Sequence, residues 1–466
     1  MHDSIVPSSK AWQTVVRAFV ASIVAVAMGW LIGGSVWAED KASKEEVRFE
    51  THVAPILQEH CMPCHGPKKA EGGYRVDTGT QLKRAGDSGL SPLSTEPNLP
   101  SELLRRIESA DASERMPAES DPLLPDQIQT IRSWVSAGGK IEPAVEKLPL
   151  HLASPPSTYA APPTYPRSIP ILSMTFHPDG SRLITAGLHE VLVWKVNDDA
   201  TYTLERRIAN MPERIYAMVM TSDGKELIVG GGTPGKLGEV RSFDWETGTL
   251  KRVVARTHEV VLDIALSPDR KKLAVASGDT LIRIVPWEGD VNQEAKTIAS
   301  HADWVLSVAW SPDGSKLVSG SRDKSAKVFD MQSYELISNY QGHAAPVRSV
   351  LFSEDGKQVY STGLDQKWHR WDIEGSKKVA EAAITGESLK TLLHQQKIWI
   401  ATSERLVSSI DLKTNKPDKT IRELSDWATA IAIHPKQGWL AIGTFDGQAS
   451  LWTAEAQRRS QWRAFP

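Results

Sequence analysis

The chain has 466 residues and a formal net charge of −3. That length exceeds what a single hydrophobic core usually serves, so two to four domains are expected. The nearly neutral charge provides no general basic surface, which argues against a nucleic-acid-binding protein. Only two cysteines occur. They are too few for the disulfide framework of a small secreted module, and both fall within one short motif.

The N-terminus has the features of an export signal. Lys10 and Arg17 precede an apolar stretch that carries no charge over the 21 residues from Ala18 to Ala38. With small residues at its end, the pattern predicts that residues 1–38 form a signal peptide cleaved after Ala38. The stretch is also long enough to span a bilayer, so an uncleaved membrane anchor is the alternative. In either case, the rest of the chain is expected to be exported.

Proline divides the exported part into two. Residues 141–168 contain seven of the 28 prolines of the chain. This composition predicts an extended, semi-rigid linker rather than a packed element. The linker would join a first domain, residues 39–140, to a larger second domain, residues 169–466.

Related turns recur along the second domain. The residue at the glycine position of each turn is Gly180, Gly224, Arg270, Gly314, Gly356 and Gln437. The first four intervals are 44, 46, 44 and 42 residues, and the last, 81, is about two periods. A degenerate unit whose turn falls near Gln396 fills that gap, so the sequence predicts seven units.

Within each unit, apolar and polar residues alternate over short stretches. "WVLSVAWS" and "SKLVSGSRD" of the fourth unit have the period of two typical of half-buried strands. The spacing, and endings such as "VLVWKV" and "HRWD", resemble the WD-repeat family over residues 168–457, which implies an all-β propeller of seven four-stranded blades. The resemblance also implies that His301 with Asp323, and His343 with Asp365, hold their blades by hydrogen bonds. These histidines are therefore interpreted as structural, not as metal ligands or catalytic bases.

The motif "CMPCH", residues 61–65, is consistent with three kinds of site. A thioredoxin-type redox pair would follow a strand, and no strand pattern precedes Cys61. A tetrahedral zinc site usually needs a second cysteine pair, which the sequence lacks. The histidine directly after the second cysteine favours covalent haem, with Cys61 and Cys64 bonded to the haem vinyl groups and His65 to the iron. The export signal agrees, because attachment of haem c requires export.

Three helices are expected around this motif. Before it, one helical face comprises Phe49, Val53, Ile56 and Leu57. Pro55 within that face predicts a kink or a late helix start. A second helix should begin at Ser101, whose hydroxyl suits an N-cap. A third should begin at Pro125 and end at Gly138. Its apolar face is predicted to comprise Leu124, Ile128, Ile131 and Val135.

A closed cytochrome needs a sixth iron ligand, and the candidates are Met62, Met116, His52 and His60. Met62 lies between the cysteines and His60 adjoins the first, so neither can reach the opposite haem face. Met116 lies 51 residues beyond His65, enough chain to pass around the haem. Its thioether favours Fe(II), which suits an electron carrier. Met116 is therefore predicted as the second axial ligand, with His52 as the alternative; five-coordinate iron, with Met116 only packing in its loop, stays open.

Short motifs over residues 47–139 resemble the planctomycete-type cytochrome c domain. In chain order they are "HCMPCHG", "GGYRVDT", "GDSG", "SELLRRI", "RMP" and "IRSWVSAGG". The resemblance implies a small all-α, class I-like fold with one covalent haem c, attached by Cys61 and Cys64 and ligated by His65 and Met116. Ala118 stands where the family usually has a second proline, and "LSTEPNLPSE" differs from the usual glycine-asparagine-proline turn, so the ligand loop departs from the family pattern.

The charge of the first domain indicates what kind of partner it binds. Residues 39–150 contain 14 Lys and Arg against 19 Asp and Glu, a net charge of −5 before any haem propionate is added. A redox partner steered by charge is therefore expected to present a basic surface. Four arginines are candidates to pair with a propionate, and the sequence does not choose among them: Arg75, Arg105, Arg106 and Arg115.

Two functions stay open at this point. The favoured one is an exported or periplasmic mono-haem c-type cytochrome that transfers electrons and docks to a redox protein or complex through its propeller. The alternative is a haem-dependent enzyme or sensor with an open iron site, its propeller shaping access. No GxSxG, HExxH or carboxylate cluster in the sequence calls for catalysis, which favours a carrier over an enzyme. Attachment to the cytoplasmic membrane would follow if the N-terminal segment stays uncleaved.

Overall fold

The computed structural model of the protein describes residues 47–67, 69–94, 100–118, 120–147, 149–153, 160–197, 201–288 and 295–465. Val47–Pro466 form one compact unit, in which a helical region precedes a β-propeller. The predicted signal segment, residues 1–38, lies outside the described residues. Within the ranges above, no helix has both the length and the hydrophobicity needed to cross a bilayer.

The described part of the helical region contains six α-helices. They are α1 (Ala54–His60), α2 (Gly79–Leu82), α3 (Glu102–Glu108), α4 (Pro125–Ser136), α5 (Pro143–Glu146) and α6 (Leu150–Ala153). A π-helical turn, Phe49–Val53, leads into α1, and a 3-10 turn spans Glu71–Gly73. Pro55 lies in the first turn of α1, so the residue without an N–H falls where the hydrogen-bond pattern changes from π-helical to α-helical. Of the kink or late start that Pro55 predicted, α-helical pairing does begin only at Ala54, although the π-helical turn before it starts at Phe49.

One hydrophobic core holds these helices together. Its fully buried members include Val53, Leu57, Ile131 and Trp134. The Trp134 ring lies 5.4 Å from that of Phe49, and its indole N–H donates to the Lys140 carbonyl at 2.9 Å. Burial of each such side chain contributes roughly 1.5–3 kcal/mol, so this core can support the helical region.

The starts of α3 and α4 agree with the sequence. The Ser101 hydroxyl accepts a hydrogen bond from the Leu104 N–H at 3.3 Å, which confirms the predicted N-cap. Helix α4 begins at Pro125 and buries Ile131, as expected. The prediction that Leu124 belongs to the buried face is wrong, because Leu124 is the extended N-cap residue and is 65% exposed.

The first part of the proline-rich segment packs into the same core. Helices α5 and α6 both lie within residues 141–168, and Leu150 is fully buried. The Leu150 N–H donates to the Asp77 carbonyl at 2.6 Å. Proline suits the first turn of a helix as well as extended chain, so its frequency alone did not reveal these helices. Residues 160–168 contain no regular element.

Seven four-stranded antiparallel sheets follow, each built from consecutive strands, which confirms the predicted seven-bladed propeller. Blades 1 to 3 consist of β1 (Ser173–Phe176), β2 (Arg182–Ala186), β3 (Val191–Val196), β4 (Tyr202–Ile208), β5 (Arg214–Met220), β6 (Glu226–Thr233), β7 (Leu237–Asp244), β8 (Leu250–Thr257), β9 (Val261–Leu266), β10 (Lys272–Ser277), β11 (Ile282–Pro286) and β12 (Lys296–Ile298).

Blades 4 to 7 consist of β13 (Val305–Trp310), β14 (Lys316–Ser321), β15 (Ala326–Asp330), β16 (Leu336–Tyr340), β17 (Val347–Phe352), β18 (Gln358–Gly363), β19 (Lys367–Asp372), β20 (Lys377–Ala383), β21 (Ser388–His394), β22 (Lys397–Thr402), β23 (Val407–Asp411), β24 (Lys416–Ile421), β25 (Ala428–Ile433), β26 (Leu440–Thr444), β27 (Gln448–Trp452) and β28 (Arg458–Arg463). The degenerate unit is blade 6. Its β21–β22 turn passes through Gln395 and Gln396, both at positive φ, as a two-residue hairpin turn requires.

The expected histidine–aspartate pairs form in blades 4 and 5. His343 Nδ1 lies 2.9 Å from Asp365, and its Nε2 lies 2.9 Å from the Ser361 hydroxyl. The Trp371 indole N–H donates to the same hydroxyl at 3.2 Å. In blade 4, His301 makes the matching contact with Asp323 at 2.8 Å. Both ring nitrogens of His343 are thus engaged, which confirms its structural role.

The first and last blades close the ring without exchanging a strand. The Ile171 N–H donates to the Thr444 carbonyl at 3.2 Å, and the Thr429 hydroxyl donates to the Ile171 carbonyl at 2.6 Å. Near the end of the chain, Phe465 is 2% exposed and meets the Tyr165 ring edge-on at 5.8 Å. The apolar cluster between these blades therefore joins the start of the propeller to its end.

The helical region touches the second blade. Helix α6 is in contact with β8. On α1, the Glu59 carboxylate pairs with Lys236 Nζ at 3.2 Å, and Lys236 lies in the turn between β6 and β7. Both side chains are more than half exposed, so this ion pair alone contributes less than about 1 kcal/mol.

Candidate functional site

The cysteine motif forms a single turn at the end of α1. Cys61 is the C-cap of α1, and its N–H donates to the Leu57 carbonyl at 3.0 Å. The N–H groups of Cys64 and His65 then both donate to the Cys61 carbonyl, at 3.2 and 2.9 Å. The next residue is Gly66, and the turn leaves no room for a side chain there, because a Cβ would lie 2.7 Å from the Met62 carbonyl oxygen. The turn brings two thiols and an imidazole into five consecutive residues.

The His65 ring has a defined orientation. Its Nδ1 lies 3.3 Å from the Tyr74 carbonyl, and its ring meets the Tyr74 ring edge-on at 5.6 Å. The Val76 N–H donates to the His65 carbonyl at 2.8 Å, which fixes the backbone as well. With the proton on Nδ1 donated to that carbonyl, the Nε2 lone pair is left for a metal. A second hydrogen bond of this kind is typical of metal-binding histidines, so His65 fits an iron ligand.

The two thiols are free of disulfide bonding but differ in their surroundings. Burial, and next the neighbouring Cys64, raise the pKa of the Cys61 thiol to about 12. Cys64 instead lies 3.8 Å from Lys69 Nζ. Neither cysteine is tied up in a disulfide, so both sulfur atoms are available for thioether bonds to haem vinyl groups. The chemistry of this donor set, two thiols and one oriented imidazole, fits covalent haem.

Among the described residues, one group of three side chains could hold a metal ion, and it lies in blade 5 rather than at the motif: His343, Asp365 and His369. The rings of His343 and His369 stack at 4.0 Å with 19° between their planes. Nearly parallel rings do not direct their lone pairs at a shared ion. Since both nitrogens of His343 are also engaged, this group is a structural feature of the blade.

Met116 and Met62 occupy different places. Met116 is partly buried and packs against the core of the helical region, as do Cys61 and Tyr74. Its N–H donates to the Arg106 carbonyl at 3.0 Å, which fixes the loop to the end of α3. Met62 is 6% exposed and belongs to that core itself. The assignment of Met116 as the axial ligand stays a prediction, and Met62 has a packing role.

The two histidine candidates already have partners. His60 Nε2 lies 3.1 Å from the side-chain amide of Gln127 on α4. His52 Nδ1 accepts the Arg48 N–H at 3.0 Å and lies 2.8 Å from the Thr51 hydroxyl. The His60 ring is thus held against α4, and the His52 ring is held by its own turn of the chain. His52 as the alternative ligand also stays a prediction.

The four candidate arginines differ in their partners. Arg75 makes two hydrogen bonds of 2.7 Å to Asp77. Arg105 and Arg106 both bind Glu102, at 2.7 and 2.8 Å, and the hydrogen bond from Arg105 is the main cause that lowers the pKa of Glu102 to about 2. Arg115 Nε is buried and has no hydrogen-bond partner among the described residues. The structure therefore separates Arg115 from the other three.

The sequence had shown the stretch "GGYRVDT" without giving Tyr74 a role. Gly73 has a φ of +65°, and a Cβ there would lie 2.2 Å from an Asp87 side-chain oxygen. The Tyr74 hydroxyl donates to the Leu82 carbonyl at 3.1 Å, which anchors the segment that faces His65. The glycine pair before an aromatic residue was a signal for a tight loop, but the tertiary contact with His65 was not readable from it.

One face of the propeller carries exposed aromatic side chains. Trp304 precedes β13, Trp427 precedes β25, and Phe445 lies between β26 and β27; they are 37%, 48% and 47% exposed. In an antiparallel blade, the entry to the first strand and the turn between the second and third strands lie at the same end. Lys236, which contacts the helical region, is in a turn of the latter kind. The aromatic residues therefore share a face with the helical region.

Comparison with known families agrees with both parts of the chain. The family model described as planctomycete cytochrome C matches residues 61–120. The model described as WD domain, G-beta repeat, matches residues 292–330 and 334–372.

Curated relatives share lower similarity over part of the chain. The nuclear distribution protein PAC1 of Arthroderma otae is 31% identical over 32% of this chain and 34% of its own length. The poly(A)+ RNA export protein of Schizosaccharomyces pombe is 31% identical over 46% of this chain and 63% of its own length. Autophagy-related protein 16 of Arabidopsis thaliana is 24% identical over 47% of this chain and 44% of its own length. The chain thus spans between about a third and two thirds of these relatives.

Proposed function

We propose that this protein, which joins a planctomycete-type cytochrome c domain to a WD-repeat β-propeller, is an exported mono-haem c-type cytochrome that transfers electrons. One observation carries the proposal: the "CMPCH" turn presents two free thiols beside a histidine whose Nδ1 is held by the Tyr74 carbonyl. Bound haem supplies a one-electron exchange between ferrous and ferric iron.

The residues of the turn have separate roles in this proposal. Cys61 and Cys64 anchor the haem through their sulfur atoms, and His65 binds the iron through Nε2. The Tyr74 carbonyl holds the His65 ring and keeps the proton on Nδ1. Met116 would hold the iron through its thioether, which would raise the reduction potential and close the iron to other ligands. A closed iron site suits a carrier rather than an enzyme or sensor.

The propeller is the part proposed to dock the redox partner. Trp304, Trp427 and Phe445 are exposed on the face that also contacts the helical region, and aromatic residues are enriched in protein interfaces. The net charge of −5 over residues 39–150 favours a partner with a basic surface. The apolar N-terminal segment supports export to the periplasm, with an uncleaved anchor as the alternative.

Visible spectroscopy of the purified full-length protein tests the closed iron site. The oxidised parent should show the weak sulfur-to-iron charge-transfer band, and the reduced parent should not bind carbon monoxide. In Met116→Leu the band should disappear because the sulfur is gone, and carbon monoxide should bind to the reduced iron at the vacated position. The reduction potential should fall, because water or an imidazole stabilises ferric iron better than sulfur does.

Met62→Leu is the matched control, since it also replaces a thioether by a side chain of similar volume. Its spectrum and potential should equal those of the parent. If His52 is the ligand instead, the parent should lack the band, Met116→Leu should leave the spectrum unchanged, and the reduced His52→Gln variant should bind carbon monoxide. Ready binding of carbon monoxide by the parent would reject the carrier and favour an enzyme or sensor.

A further inference from the structure

All but one of the described arginines of the helical region are either ion-paired or exposed to solvent. Five of them form ion pairs with acidic side chains: Arg48, Arg75, Arg105, Arg106 and Arg132. Arg84 is exposed, so water can solvate its guanidinium group. Arg115 differs from both groups, because it is half-buried and the structure gives it no ion pair with the acidic groups that it describes.

The unsatisfied atom of Arg115 is its Nε. That nitrogen is shielded from solvent and has no acceptor in the described part of the chain. Buried hydrogen-bond donors are almost always satisfied in folded proteins, and a charged donor is among the most costly to leave without an acceptor. A guanidinium group presents its donors in a planar fork that matches a carboxylate. The missing partner is therefore expected to be an anion with oxygen acceptors.

The surroundings of Arg115 place that anion close to the proposed haem. Arg115 directly precedes Met116, whose side chain packs on the same core as Cys61. The loop is fixed by two backbone hydrogen bonds, from the Arg115 N–H to the Asp111 carbonyl at 2.9 Å and from the Met116 N–H to the Arg106 carbonyl at 3.0 Å. The position of Arg115 is thus set by the loop that also positions the predicted axial ligand.

Neighbouring acidic residues do not fill the role. Glu102 is bound by both Arg105 and Arg106, and Glu114 pairs with Arg105 at 2.7 Å. Asp111 accepts hydrogen bonds from Ser113 at 2.7 and 2.8 Å. These three described carboxylates therefore have other partners, and the buried Arg115 Nε has no acceptor among the described residues.

We propose that Arg115 binds a propionate of the haem and that its positive charge raises the reduction potential. The inference rests on the proposed function, because it requires covalent haem at Cys61 and Cys64. Of the four arginines that the sequence offered, the other three are engaged by Asp77, Glu102 and Glu114. Arg115 is a positioning residue that holds the haem edge, and it takes no part in ligating iron.

The sign of the effect on the potential follows from charge. Oxidation adds one positive charge to the haem, so a nearby cation disfavours the ferric form. Removal of the Arg115 charge leaves the propionate anion without its counter-charge, and the net change is the loss of one positive charge beside the haem. That loss stabilises the ferric form and lowers the equilibrium constant for reduction. We expect a decrease of about tenfold in Arg115→Gln, equal to 59 mV for a one-electron couple.

The test compares midpoint potentials of the full-length haem protein and three variants, after haem staining of a denaturing gel has shown equal haem content. Arg115→Gln should show the full decrease, and Arg115→Lys, which keeps the charge, should recover most of it. Arg132→Gln is the control, because Arg132 pairs with Glu108 at 3.0 Å and is about half exposed. Removal of the Arg132 charge should change the equilibrium constant for reduction less than twofold.

The outcomes separate the two proposals. Absence of covalent haem in the parent would reject the proposed function itself. With haem present, an Arg115→Gln potential no lower than that of Arg132→Gln would overturn the role of Arg115 alone. If Arg115→Gln accumulates without haem, Arg115→Lys decides: recovery of haem and potential supports the charge pairing, and a Lys variant as deficient as the Gln variant contradicts it.

Discussion

The carboxylate of Asp323 stabilises blade 4 through four hydrogen bonds, and its removal should destabilise the propeller without altering the cysteine motif of the helical region. It accepts from His301 Nδ1 at 2.8 Å and from the Ala302 N–H at 3.1 Å. The Ser325 N–H and hydroxyl donate at 2.9 and 2.6 Å. The His301 side chain is 1% exposed, so water cannot easily replace the acceptor that Asp323→Ala removes.

The magnitude follows from which donors are buried. A hydrogen bond to a charged acceptor is worth about 1.5–3 kcal/mol. His301 and Ser325 are both buried, whereas Ala302 is exposed and its N–H can bind water. Three donors on these two buried residues lose their acceptor, and partial relaxation offsets some of the loss. Asp323→Ala should therefore lower the free energy of unfolding by about 3 kcal/mol.

Urea denaturation followed by tryptophan fluorescence measures this loss, and pH provides a second check. Burial alone would raise the pKa of Asp323, but the hydrogen bonds from His301 and Ser325 outweigh it and hold that pKa well below its usual range. A lowered pKa means that the carboxylate stabilises the fold fully above about pH 4 and loses this effect as the pH falls further. The difference in free energy of unfolding between the parent and Asp323→Ala should therefore become smaller as the pH is lowered below about 4.

Asp303→Ala is the matched control, because the Asp303 side chain is 38% exposed and lies 3.6 Å from Arg322. Its free energy of unfolding should stay within about 0.5 kcal/mol of the parent value. A loss below 1 kcal/mol in Asp323→Ala, or a loss equal to that of the control, would refute the reasoning.

Two further predictions concern the propeller. Burial, and next the charge of His343, lower the pKa of His369 to about 4. Because the His369 ring of the unfolded chain takes up its proton near pH 6.5, the free energy of unfolding should fall as the pH drops from about 6.5 toward 4. His369→Phe should reduce that fall, and urea midpoints at pH 7 and pH 5 that change equally in parent and variant would contradict it. Phe465→Ala should lower the free energy of unfolding by about 3 kcal/mol, since Phe465 fills the ring closure, whereas Phe445→Ala, 47% exposed, should change it by less than about 0.5 kcal/mol. Equal urea midpoints for these two variants would disprove the role assigned to Phe465.

Periodicity and turn spacing predicted the propeller because each blade repeats the same local signals. The alternation in β13 and β14 appears directly as strands, and the His343–Asp365 pair lies where the repeat implied. The helical region was predicted less completely. Proline does not distinguish the first turn of α5 from extended chain, so the two helices α5 and α6 were missed. Leu124 was misplaced because an apolar period does not show where the cap ends and the helix begins.

The sequence showed which residues form the cysteine motif but not what surrounds it. Cys61, Cys64 and His65 lie within five consecutive residues, so no tertiary contact is needed to bring them together. His65 and Tyr74 are nine positions apart in the chain, and the geometry of their contact depends on the positive φ of Gly73. Likewise, Arg115 became distinct only when the ion pairs of Arg75, Arg105 and Arg106 were known. Tertiary contacts of this kind have no signature in local composition.

Intact-mass measurement of the purified full-length protein under denaturing conditions tests the central claim most directly. The parent should carry the added mass of one haem, retained after unfolding because thioether bonds to Cys61 and Cys64 do not depend on the fold. Replacement of both cysteines by alanine should remove that mass and leave only the polypeptide. A parent mass equal to that of the polypeptide, or a haem mass that persists in the double variant, would contradict the account.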